Sequence, residues 1–96
     1  MRVARRYVVS GRVQGVGFRF FAEEAGRREG LRGWVRNLPD GRVEITAEGD
    51  TEALTRFEIA VRQGPRGARV DEVKVDPDMN IDPADQIAGV TGFNIR

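Results

Sequence analysis

Three glycines within seven residues, in the run Gly11-Arg12-Val13-Gln14-Gly15-Val16-Gly17-Phe18-Arg19, constrain this chain more than any other stretch. An apolar segment, Tyr7-Val8-Val9, leads into the run, and a helix-like pattern beginning at Phe18 leaves it. Glycines at a strand-to-helix turn permit positive φ angles and let peptide N–H groups face outward with no Cβ in the way. The helix start adds unpaired N–H donors and the positive end of the helix dipole. The pattern predicts a cradle for a compact anion such as phosphate or sulfate, built from the backbone of Val13, Gln14, Gly15, Val16, Gly17 and Phe18.

Arg19 sharpens that expectation. A cation in the first turn of a helix is electrostatically misplaced, by roughly 0.3–1 kcal/mol at an exposed site. The placement makes sense if an anion sits there and the guanidinium fork grips two of its oxygens. The alternative is a pairing with Glu23 four residues on, and the residues alone leave both open. Gln14 either bonds the anion or shapes the loop. Phe18 and Phe21 fall on the core stripe of the helix.

Absences narrow the chemistry. With no Cys and no His, the chain lacks a thiolate nucleophile, the usual general base near neutral pH and the commonest transition-metal ligands. No cofactor or metal is expected. Asp76, Asp78, Asp82 and Asp85 lack the spacing of a calcium loop. Gly15-x-Gly17 is followed by Phe20 where a dinucleotide fingerprint needs a small residue, and no Gly-Lys-Ser/Thr follows to make a Walker loop. Sixteen basic residues, fifteen of them Arg, against fifteen acidic ones give a charge of +1, which makes no general case for nucleic acid or an anionic membrane as partner. Arg2, Arg5 and Arg6 read as solvated surface. No apolar run approaches the roughly twenty residues of a membrane span or resembles a signal peptide, so a cytoplasmic protein is expected.

The periodicities predict a strand over 3–12 and a helix over 18–29 with Phe18, Phe21, Ala22 and Ala25 inward and Gly30 as its cap. A strand over 31–38 puts Asn37 and Trp34 on opposite faces, with Trp34 as packing. A turn at Leu38-Pro39-Asp40-Gly41 leads to a strand over 42–48 with Val43, Ile45 and Ala47 inward and Glu44, Thr46 and Glu48 outward. A helix over 51–63 follows, with Asp50 as N-cap, then a strand over 68–75 with a bulge between Val70 and Val73, a polar connection over 77–89, and a short strand over 91–95. Gly26 inside the first helix costs about 1 kcal/mol relative to Ala, with no reason visible in the sequence. The order βαββαβ plus a terminal strand predicts one domain over 1–96. Its fold is a ferredoxin-like α/β sandwich, an antiparallel sheet with two helices on one face.

The glycine run, the block Gly33-Trp34-Val35-Arg36-Asn37-Leu38-Pro39-Asp40-Gly41-Arg42-Val43 and the block Gly64-Pro65-x-x-Ala68-x-Val70 together closely resemble the acylphosphatases. The resemblance runs from about residue 5 to about residue 75, with an echo in Phe93-Asn94-Ile95. It implies the same fold and a metal-independent hydrolysis of small-molecule acyl phosphates by a monomer. It also implies that Arg19 binds the phosphoryl group and that Asn37, which on pattern alone could be only a turn former, orients the attacking water. Two rivals remain. One is a carbamoyl-phosphate-handling module of the kind found inside larger hydrogenase-maturation proteins, which a chain ending at Arg96 disfavours. The other is a non-catalytic nucleic-acid-binding domain of the same fold, which the scarcity of free aromatics and the near-neutral charge disfavour.

Overall fold

A computed structural model describes residues 2–76 and 90–96. The polar connection expected over 77–89 lies outside the described residues. The elements run β1 (Arg2–Arg12), α1 (Phe18–Arg28), β2 (Arg32–Asn37), β3 (Val43–Asp50), α2 (Thr51–Gln63), β4 (Arg69–Asp76) and β5 (Phe93–Ile95). The strands form one sheet in the order β4-β1-β3-β2-β5. Pairings β1–β3, β1–β4 and β2–β3 are antiparallel, as the βαββαβ order predicts. The terminal strand pairs parallel to β2, so the sheet as a whole is mixed.

The core is the layer between this sheet and the two helices. Tyr7, Val9, Val35, Val43, Ile45 and Ala47 meet Phe18, Ala22 and Ala25 of α1 and Leu54, Phe57 and Val61 of α2 in one buried cluster. The ring of Phe57 links it, 5.7 Å from Tyr7 and 5.6 Å from Phe93. α1 ends in a Schellman turn, in which the amide of Leu31 donates to the Gly26 carbonyl at 2.9 Å and that of Gly30 to Arg27 at 3.1 Å. The bulge expected in β4 is present: Ser10 pairs with Glu72 and Gly11 with Val70, so Asp71 is the extra residue. It turns both Val70 and Val73 toward the core.

Gly26 acquires its reason here. It is buried on α1 directly against Phe93, and a Cβ at this position would overlap the Phe93 ring. The missing side chain lets β5 lie close under the helix.

The helix-free face of the sheet departs from expectation. Glu44, Thr46 and Glu48, read as outward, are buried. Arginines of the flanking strands cover them. Arg2 and Arg32 bond the Glu48 carboxylate at 2.9 and 3.2 Å, and Arg6 and Arg36 converge on that of Glu44. Arg2 and Arg6 are therefore ion-pair partners as well as surface groups. The guanidinium of Arg2, then that of Arg32, holds the Glu48 carboxyl below its ordinary range. Trp34 is buried on the same face, beneath the guanidinium groups of Arg96 and Arg36 at 4.8 and 5.3 Å from its ring centre. Long, half-exposed Arg side chains thus serve as the lid of a second, mixed polar layer.

Candidate active site

The glycine-rich loop connects the end of β1 to α1, and its conformation follows from its glycines. Gly15 and Gly17 hold φ of 75° and 78°, in the left-handed region that disfavours any residue with a Cβ, and Gly17 is the N-cap of α1. No acidic residue lies in the first turn of the helix, and no side chain caps it. Among the described residues, no backbone carbonyl accepts from the amides of residues 15–20; the first to be bonded is Phe21, to the Gly17 carbonyl at 3.0 Å. The loop and first turn therefore present a set of unused N–H donors at the positive end of a three-turn helix.

Five residues of this stretch, Gly15, Gly17, Phe18, Arg19 and Phe20, line a cleft of about 100 Å³ together with Val13 and Asn37. That volume matches a few water molecules, at about 30 Å³ each, and so suits a small tetrahedral anion. Arg19 and Asn37, 18 positions apart in sequence and carried by α1 and by the last position of β2, come together in it. The alternative pairing of Arg19 is absent among the described residues. Glu23 pairs instead with Arg27 at 3.3 Å, and Arg19 has no ion-pair partner among them. A half-buried guanidinium facing unpaired amides is a concentration of positive charge and donors with nothing in the described chain to neutralise it.

Gln14 does not line the cleft. Its side-chain amide donates to the carbonyls of Leu38 at 2.8 Å and Arg42 at 3.0 Å, the two residues closing the β2–β3 turn. Because both neighbours are acceptors, the NH2 end of the amide must face them. Gln14 is therefore a strut that ties the glycine loop to the strand end carrying Asn37. Val16 packs against the core and also stays off the cleft surface. The turn itself is held by Asp40, which accepts from the Arg42 amide at 3.1 Å and its guanidinium at 2.7 Å. The Arg42 amide chiefly keeps the Asp40 carboxyl below its ordinary range.

Phe18 is buried beneath the loop, as the core reading expects, whereas Phe21, read as inward with it, is only half-buried and lies outside the core cluster, its ring centre 6.1 Å from that of Phe18. Phe20 was not singled out by the pattern as a site residue. It lies on the outer side of the helix, is 67% exposed and still borders the cleft.

The family model described as Acylphosphatase matches residues 5–95. The chain belongs to the acylphosphatase family. A curated acylphosphatase of Anaeromyxobacter dehalogenans is 50% identical over 95 residues, covering 99% of this chain and 96% of that one. The acylphosphatase of Thermus thermophilus is 48% identical over 88 residues, 92% of each chain. Among solved structures, the crystal structure of acylphosphatase from Bacillus subtilis superposes with a TM-score of 0.86 at 40% identity, covering 100% of this chain and 99% of that one. The acylphosphatase assignment thus extends over β5, beyond the motif blocks that carried the resemblance. No helix of the described residues is long and apolar enough to cross a membrane.

Proposed function

We propose that this protein hydrolyses the carboxyl–phosphate bond of small acyl phosphates, releasing a carboxylate and inorganic phosphate, with Arg19 and the loop amides binding the phosphoryl group and Asn37 holding the attacking water. The observation that carries this reading is the convergence of Arg19, Asn37 and the left-handed glycines on one cleft. An acyl phosphate is a mixed anhydride whose leaving group is a carboxylate, so its departure needs no strong acid. What the reaction needs is alignment and neutralisation of charge on the phosphoryl oxygens. The amides of residues 15–20 and the Arg19 fork supply donors to those oxygens as charge spreads over them. The Asn37 carboxamide, anchored at the end of a paired strand, orients water in line with the scissile P–O bond. Water oxygen bonds to phosphorus as the P–O bond to the acyl group breaks, and the electron pair leaves on the carboxylate. The water proton passes to a phosphoryl oxygen, since an amide is too weak a base to keep it.

Among the described residues that line the cleft there is no carboxylate, imidazole or thiolate, and the reading is of a metal-independent reaction. The test is steady-state turnover of acetyl phosphate by the native protein, Arg19→Ala and Asn37→Ala, with and without chelator. Arg19→Ala should lose about 10³-fold or more in kcat/KM and Asn37→Ala about 10²–10³-fold. Both should keep the native melting transition, and chelator should change nothing. Turnover near the native rate in either variant refutes the role given to that residue.

A further inference from the structure

We infer that the cleft selects acyl phosphates whose acyl group is uncharged and apolar, aromatic or branched, and that Phe20 is the side chain that reads it. The inference rests on the acyl phosphate reading above and extends it from the phosphoryl half of the substrate to the acyl half. Among the described residues only two polar side chains line the cleft, Arg19 and Asn37. Both are committed, one to the phosphoryl oxygens and one to water. What remains for the acyl group is apolar, and its one projecting member is Phe20. An acyl chain bearing its own carboxylate finds no further cation in the lining.

The exposure of Phe20 gives the second line of argument. Among the described residues only Phe20 and Ile59 are large apolar side chains left open to solvent, at 67% and 63%. Ile59 sits on α2, away from the cleft. Phe20 immediately follows Arg19 and borders the anion cradle, so its ring forms a rim against which a planar or branched acyl group can lose water when the phosphate is seated. A ring there contributes neither to the core nor to the sheet, and its contact is gained only when substrate is bound.

The test compares benzoyl phosphate with acetyl phosphate on native protein, Phe20→Ala and Phe20→Leu, reading kcat/KM for each and the inhibition constant for inorganic phosphate. The native protein should prefer benzoyl phosphate, and Phe20→Ala should reduce that preference by about three- to tenfold, the range expected for one aromatic pair at an open rim. The change should fall mainly on KM for benzoyl phosphate, Phe20→Leu should recover part of it, and inhibition by phosphate should stay within about twofold of native. An unchanged preference in Phe20→Ala overturns the inference while leaving the acyl phosphate reading intact. An equal loss on both substrates, or a matching change in phosphate inhibition, also overturns it, because Phe20 would then act on the loop. Failure of the native protein to hydrolyse either substrate overturns the acyl phosphate reading itself.

Discussion

Gln14→Met removes the strut between the glycine loop and the β2–β3 turn while keeping side-chain length, and its effect can be sized from the geometry of that strut. Two hydrogen bonds disappear, to Leu38 and Arg42 carbonyls at 2.8 and 3.0 Å. Neither carbonyl is orphaned, because Leu38 still accepts from the Gly41 amide at 3.2 Å and Arg42 from the Leu38 amide at 2.8 Å. The stability cost therefore falls at the ordinary net value of a hydrogen bond, about 1–2 kcal/mol for the pair rather than the larger penalty of buried unsatisfied groups. For a domain of this size that lowers Tm by roughly 4–15 °C. The functional cost should be larger than the stability cost implies. Freed from the turn, the loop can drift relative to Asn37, and a displacement of about 1 Å at a reacting centre is worth on the order of 10²-fold. Turnover of acetyl phosphate measured well below the lowered Tm should drop about 10–100-fold in kcat, with inhibition by inorganic phosphate weakened only a few-fold, because the loop amides and Arg19 stay together on one segment. A variant with native kcat and a lowered Tm would show that Gln14 serves the fold alone and refute the coupling.

Two further predictions concern the frame. Gly26→Ala improves helix propensity by about 1 kcal/mol yet should destabilise the protein by about 1–3 kcal/mol in denaturant unfolding, because the new methyl overlaps the Phe93 ring; pairing it with Phe93→Leu should return part of the loss, and additive effects would contradict the contact. Burial pushes the Tyr7 phenol from 10.0 up to about 12, so its neutral form is favoured by folding. Its contribution is complete below pH 10 and is lost as pH rises from 10 to 12, about 2–3 kcal/mol in all; Tyr7→Phe, in the chain's single tyrosine, should flatten most of that decline, and an equally steep fall in the variant would refute the assignment.

Much of the frame was legible because local pattern and tertiary demand agree. Val43, Ile45 and Ala47 alternate inward as read, Gly30 ends α1, and the parity break between Val70 and Val73 marks a true bulge. The pairing of Arg19 with Asn37 in one cleft came from two motifs whose spatial meeting the resemblance implied. What escaped the pattern depends on register between distant strands. The burial of Glu44 and Glu48 needs Arg2 and Arg6 of β1 and Arg32 and Arg36 of β2 to flank β3, which alternation within one strand does not encode. Gly26 is explained by Phe93, a contact between residues far apart in the sequence. The role of Gln14 depends on the Leu38 and Arg42 carbonyls that face it from the distant β2–β3 turn. A weak signal for Phe20 was available: it falls outside the apolar stripe of α1, so an aromatic there had no core to enter.

Titration of inorganic phosphate into isotopically labelled protein, followed by amide NMR, tests the central claim most directly. The account predicts that the largest shifts fall on the backbone amides of residues 15–20 and on the Asn37 side-chain amide, and that Arg19→Ala weakens binding about tenfold or more. Shifts centred on the arginine-covered face of the sheet, or undiminished affinity in Arg19→Ala, would contradict it.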